Sequence, residues 1–174
     1  MSLKIAVIPW DDTGLNNHIF EGKDGRDGCN VPFLRMKQEF ERRGDFFNTV
    51  DLYDSLEDID YFLFFEFDWK WLEKVVKAGG EKRMIYCNAE PPVVNKMNCP
   101  EGYKIISKYF PYILTWNREW VDNERIFRRN IPYCFSESIG TVPFEKRKLL
   151  TSISGNKFSE HPDELYSERE KVIT

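Results

Sequence analysis

The run IDYFLFFEF, from Ile59 to Phe67, is almost continuously apolar. A strand that faces solvent on one side alternates apolar and polar residues; an unbroken run like this one suits a strand buried on both faces. Such strands belong to parallel sheets, where helices cover both sides. The rest of the chain follows that pattern. KIAVIPW (Lys4 to Trp10), Phe46 to Tyr53, KRMIYCN (Lys82 to Asn88), YILTW (Tyr112 to Trp116) and Arg129 to Phe135 read as further strands.

Helices are expected between them. Pro32 to Arg43 carries Phe33, Met36 and Phe40 on one face and ends at Gly44. Asp68 can cap a helix running through Trp69, Leu72, Val75 and Val76 to Gly79-Gly80. Short helices are expected near Tyr103 to Phe110 and from Asn117 to Phe127. Strands alternating with helices imply an α/β fold: a Rossmann-like, open, mostly parallel sheet with helices on both faces.

In that architecture ligands bind where the strands end. The strand-end residues are Trp10, Asp11 and Asp12; Glu66, Phe67 and Asp68; Asn88, Ala89 and Glu90; Trp116 and Asn117. Carboxylates, an amide and indoles on one rim suit a neutral polyhydroxy ligand. Trp10, Asp11, Glu66, Trp116 and Asn117 are therefore candidate sugar contacts, although Asp11 and Asp12 also have the setting of turn or cap residues. Glu66 is read as pointing outward. Trp69 and Trp71 fit helix packing. Glu90 precedes Pro91-Pro92, which forbid further ladder pairing and hold the backbone rigid. Two roles are open to it: a surface carboxylate before a turn, or a general base held within reach of its proton.

Other chemistries have no support. No GxGxxG follows the first strand and there is no Walker motif. His18 and His161 are far apart, with no nucleophile in a recognisable setting, and no zinc spacing appears, so no metal is expected. The loop with Asp24, Asp27 and Asn30 does not fit an EF-hand. A net charge of −4 argues against a nucleic-acid partner. There is no signal-peptide pattern and no transmembrane run, and Cys29, Cys87, Cys99 and Cys134 suit the reduced thiols of a cytoplasmic protein.

The C-terminal stretch, Lys146 to Thr174, reads as a strand, a loop and a helix opening at His161-Pro162-Asp163-Glu164. No stop signal precedes Thr174, so a larger protein is expected. On this helix Arg169 falls within the apolar stripe between Leu165 and Ile173. It either extends its head group to water or binds a phosphate or carboxylate.

Two regions resemble family 10 glycosyltransferases, the α1,3-fucosyltransferase family. KRKLLTSISGNKFSEHPDELYSEREKVI resembles the start of the family's donor-binding domain, with Ser154, Asn156, Ser167 and Arg169 at the pattern positions. RMIYCNAEPPVV resembles its strand ending in a Glu-Ser-Pro-like motif, with Pro91 where serine is usual. The resemblance implies the N-terminal half of a GT-B enzyme: a Rossmann-like acceptor-side domain (residues 1–135), a linker (136–146) and a truncated donor-binding domain (147–174).

It further implies inverting transfer of fucose from GDP-fucose to a carbohydrate acceptor, with no other cofactor. Glu90 would deprotonate the acceptor, and Arg169, Asn156 and Ser154 would contact the donor. A chain with one wall of the cleft is expected to be inactive alone. The alternative is a stand-alone, non-catalytic α/β carbohydrate-binding or regulatory module.

Overall fold

The computed structural model describes residues 2–22, 28–130, 142–148 and 158–173. Its strands are β1 (Lys4–Ile8), β2 (Phe46–Thr49), β3 (Tyr61–Phe65), β4 (Met84–Cys87), β5 (Tyr112–Thr115) and β6 (Ile126–Arg128). They form one sheet in the order β2-β1-β3-β4-β5-β6, with every neighbouring pair parallel. This is the Rossmann-like open sheet that the alternating pattern implies.

The apolar run at Ile59–Phe67 owes its composition to its place. Phe62 and Phe64 of β3 pack on one side of the sheet with Trp71, Leu72, Val75, Ile106 and Phe110. Leu63 and Phe65 pack on the other with Phe33, Met36 and Phe40. Each buried phenylalanine contributes roughly 2–3 kcal/mol of transfer free energy.

Between the strands lie α1 (Val31–Arg42), α2 (Trp69–Lys77) and α3 (Pro100–Tyr109). Asp68 caps α2 by accepting the Trp71 N–H at 3.0 Å, and Gly79 ends it at φ 69°. The left-handed φ there is open to glycine without a Cβ penalty. α1 lies on one face, α2 and α3 on the other. The chain therefore reverses its winding between β1 and β3, where the loops after the two strands diverge and leave a crevice.

Among the described residues α1 is the helix on its face, and it covers only part of it. Beyond it a trench of about 530 Å³ remains, walled by Leu3, Phe33, Leu63, Phe65, Ile85 and Leu114 and bounded by Arg129. Among the described residues no helix is long and apolar enough to cross a membrane.

Two segments depart from the sequence reading. Asn117 to Phe127 is not a helix: a 3-10 turn at Arg118–Trp120 leads to a bend and then to β6. The Asp122 carboxylate accepts the N–H groups of Glu124, Arg125 and Ile126 at 2.8–2.9 Å. This local bonding competes with helix formation and is completed by Asn123 at φ 61°. Of the expected strand at Arg129 to Phe135, Arg129 and Asn130 lie just past β6 and outside any strand, and the rest falls in residues 131–141, outside those described.

The C-terminal helix, α4 (Tyr166–Ile173), starts later than the proline suggested. Glu164 precedes it and caps it, accepting the N–H groups of Tyr166 and Ser167.

Candidate functional site

Because the sheet is parallel, the carboxyl ends of β1, β3, β4 and β5 share one rim, each about 5 Å from the next. Glu66, the first residue past β3, does not point outward as expected. It is 6% exposed and takes a left-handed φ of 73° that turns its carboxylate inward. Its Oε1 accepts the backbone N–H groups of Ala89 at 2.6 Å and Glu90 at 2.7 Å. Its Oε2 accepts Asn95 Nδ2 at 2.6 Å and Asn98 Nδ2 at 2.8 Å.

The Tyr86 hydroxyl lies 3.2 Å from Oε2 and 2.7 Å from Asn98 Oδ1, so its proton belongs mainly to the latter. Burial first, then the nearby Glu66 charge, pushes the Tyr86 hydroxyl well above its ordinary range and keeps it a donor. A buried charge is tolerable only with such a set of partners. The carboxylate is thus the internal anchor of the loop that follows β4.

That loop carries Glu90. Its N–H is held by Glu66 and its C=O accepts Asn98 Nδ2 at 2.8 Å, while its side chain is exposed. Pro91 and Pro92 follow, and the Pro91 carbonyl accepts the N–H groups of Val94 and Asn95. The backbone on both sides of the Glu90 side chain is therefore fixed.

Beside it, Asn88 is 1% exposed, and its Oδ1 accepts the Thr115 hydroxyl at 3.3 Å. Its Nδ2 has no hydrogen-bond partner among the described residues. Arg129 donates to the Asn88 carbonyl at 3.4 Å and lies over the Phe65 ring at 5.7 Å.

Arg169 comes to the same region. It lines a cavity of about 250 Å³ with Pro91, Val93, Val94, Asp163, Glu164, Leu165 and Tyr166. Ser159, ahead of α4, donates to the Val93 carbonyl at 3.2 Å. The guanidinium is exposed and lies 5.9 Å from the Tyr166 ring centre. Ser154 and Asn156 lie outside the described residues.

The remaining rim residues divide in two. Asp11 accepts the N–H and hydroxyl of Thr13, and Asn117 accepts the Glu119 N–H; both cap short turns. Trp10 and Trp116 are 47% and 36% exposed. Trp10 forms one wall of a second cavity, about 380 Å³, with Thr13, His18, Ile19, Glu21 and Asn30. There His18 Nδ1 meets Glu21 Oε1 at 2.9 Å. No three His, Cys, Asp or Glu side chains converge in a metal-binding group among the described residues.

Sequence reasoning missed Tyr86, Asn95 and Asn98 as partners of Glu66, and the His18–Glu21 pair. Their one sequence signal is spacing: Asn95 and Asn98, and His18 and Glu21, each lie three positions apart on a turn. No protein-family model, curated protein or solved structure matches the chain.

Proposed function

We propose that this chain forms the acceptor-side domain of an inverting, cytoplasmic glycosyltransferase, with Glu90 as the base and Arg169 as a contact to the donor diphosphate. One observation carries the reading. Pro91, Val93 and Val94, which follow Glu90, and the helix that carries Arg169 wall a single cavity, so the segments of the two residues, distant in the chain, meet.

The chemistry follows from their charges. The Glu90 carboxylate takes the proton of an acceptor hydroxyl. The oxygen attacks the anomeric carbon of the sugar donor as the bond to the diphosphate breaks on the opposite side, inverting the centre. Negative charge grows on the leaving diphosphate, and a guanidinium fork stabilises it. The donor proposed is GDP-fucose, from the resemblance of the Glu90 and Arg169 segments, and the acceptor is a carbohydrate.

The test uses a polypeptide that carries a donor-binding domain. Glu90→Gln should lower kcat by roughly 10²–10⁴-fold with folding intact; turnover at the wild-type rate would remove Glu90 from this role. Arg169→Ala should weaken GDP-fucose binding in calorimetry. Unchanged affinity would return Arg169 to a solvated side chain beside Tyr166.

A further inference from the structure

The cavity at the end of β1 has a composition of its own. It lies beside the crevice where the winding reverses between β1 and β3, the place where sheets of this kind bind ligands. Its volume, about 380 Å³, falls in the range of small-molecule sites. One wall is the exposed Trp10 indole, backed by Phe33 at 5.8 Å between ring centres, which in turn meets Phe65 edge-on at 4.9 Å. Ile19, 1% exposed, forms an apolar base. At Gly14 the chain approaches Pro9 so closely that an added Cβ would lie 2.6 Å from the proline Cβ.

The polar groups among the described residues are Thr13, His18, Glu21 and Asn30. The Glu21 carboxylate at His18 Nδ1 favours the tautomer with its proton on that nitrogen, which leaves Nε2 as an acceptor in the neutral ring. Among the described residues no lysine or arginine lines the cavity, and Glu21 repels anions. The loop is also fixed in advance. The Asn16 N–H donates to Asp51, and Asn17, at φ 62°, exchanges hydrogen bonds with Thr49 and donates to Asn48. An aromatic face, a carboxylate, an imidazole, an amide and a hydroxyl match the apolar C–H face and the hydroxyl edge of a sugar.

We propose that this cavity binds one pyranose ring of a neutral saccharide, stacked on Trp10, with its hydroxyls bonded to Glu21, His18 and Asn30. The proposal deepens the acceptor-side reading and rests on it in placing the acceptor here. It adds to Trp10 the residues that would hold the sugar.

The experiment follows the indole N–H signals of the tryptophans by ¹⁵N–¹H correlation spectroscopy. The chain is titrated with methyl β-glucopyranoside and methyl β-galactopyranoside to tens of millimolar, and with glycerol as a control. Trp10→Phe assigns the signal.

At least one glycoside should move the Trp10 signal saturably, and glycerol should not. Glu21→Gln should weaken binding roughly ten-fold, the loss of one charge-assisted hydrogen bond. Trp10→Ala should abolish binding with signal dispersion unchanged. The absence of a saturable Trp10 shift, or an equal shift with glycerol, overturns the proposal. Movement of the Trp116 signal alone overturns it too, but leaves an acceptor site at the end of β5. Glycoside binding at Trp10 together with wild-type turnover in Glu90→Gln would keep this site while removing the base assignment.

Discussion

Glu66 concentrates the energetics of the rim in one side chain, and its replacement should separate two opposing terms. The first is the bonding of a buried carboxylate to the Ala89 and Glu90 N–H groups and to the Asn95 and Asn98 amides. Glu66→Gln keeps one oxygen for the two backbone donors but turns an NH₂ group toward the two amide NH₂ groups. Asn98 retains its bond to the Glu90 carbonyl, and Asn95 is half-buried and near water.

One Asn98 N–H and at least one N–H of the new amide are therefore left unsatisfied, which costs about 1–3 kcal/mol each. Glu66→Ala leaves all the donors without the carboxylate and should cost about 3–5 kcal/mol, as for a broken buried ionic network. The second term is the φ of 73°, which costs a non-glycine residue about 1–2 kcal/mol. Glu66→Gly loses the same hydrogen bonds as Glu66→Ala but relieves this strain. It should therefore be more stable than Glu66→Ala by about 1 kcal/mol, against the usual order of alanine and glycine. Urea unfolding followed by circular dichroism measures all three. Stability within about 0.5 kcal/mol of wild type for both Gln and Ala would refute the anchoring role, as surface substitutions behave that way. Glycine falling below alanine would refute the strain.

The remaining predictions concern chemistry, pH and packing. Burial pushes the Cys87 thiol up to about 12, so iodoacetamide at mildly alkaline pH should modify exposed Cys29 and spare Cys87 until urea unfolds the chain; native labelling of Cys87, read by mass spectrometry, would contradict this. Arg42 and Arg43 hydrogen bonds hold the Glu39 carboxyl down from its ordinary 4.5 to about 2. Its stabilising contribution is present above about 4.5 and is lost as pH falls through about 2; a ¹³C carboxyl titration with a midpoint near 4.5 at low salt would refute it. Gly102→Ala would place a Cβ 2.4 Å from the Met97 carbonyl oxygen, a backbone atom that cannot simply rotate away. It should cost about 2–3 kcal/mol in thermal unfolding, the range of overpacked positions, and an unchanged melting temperature would show that the turn relaxes freely.

The sheet was legible because burial on both faces leaves a composition, and Ile59–Phe67 carries it plainly. Asp68 and Gly79 marked α2 because capping needs particular side chains and backbone angles. The 117–127 segment was misread because its composition could not reveal that Asp122 would take three backbone donors. Glu66 was misread for a related reason. Two flanking phenylalanines do not say which way a strand-end residue turns, and its partners lie at least twenty positions away. The rim itself could be found, since strand ends in a parallel sheet must meet. Which of its groups face a ligand and which are bonded within the protein depended on contacts between distant segments.

The apolar trench beside α1 bears on how the folded state would report itself. Environment-sensitive dyes such as anilinonaphthalene sulfonate brighten on exposed hydrophobic surface and are commonly taken as a sign of loosened tertiary packing. Here a fully packed sheet already offers such a surface, with the cationic Arg129 at one end to attract a sulfonate. Bright dye fluorescence in native buffer would then indicate an open side of the sheet rather than a molten core. Near-ultraviolet circular dichroism, reading the rings packed around Phe64 and Tyr86, would distinguish the two states.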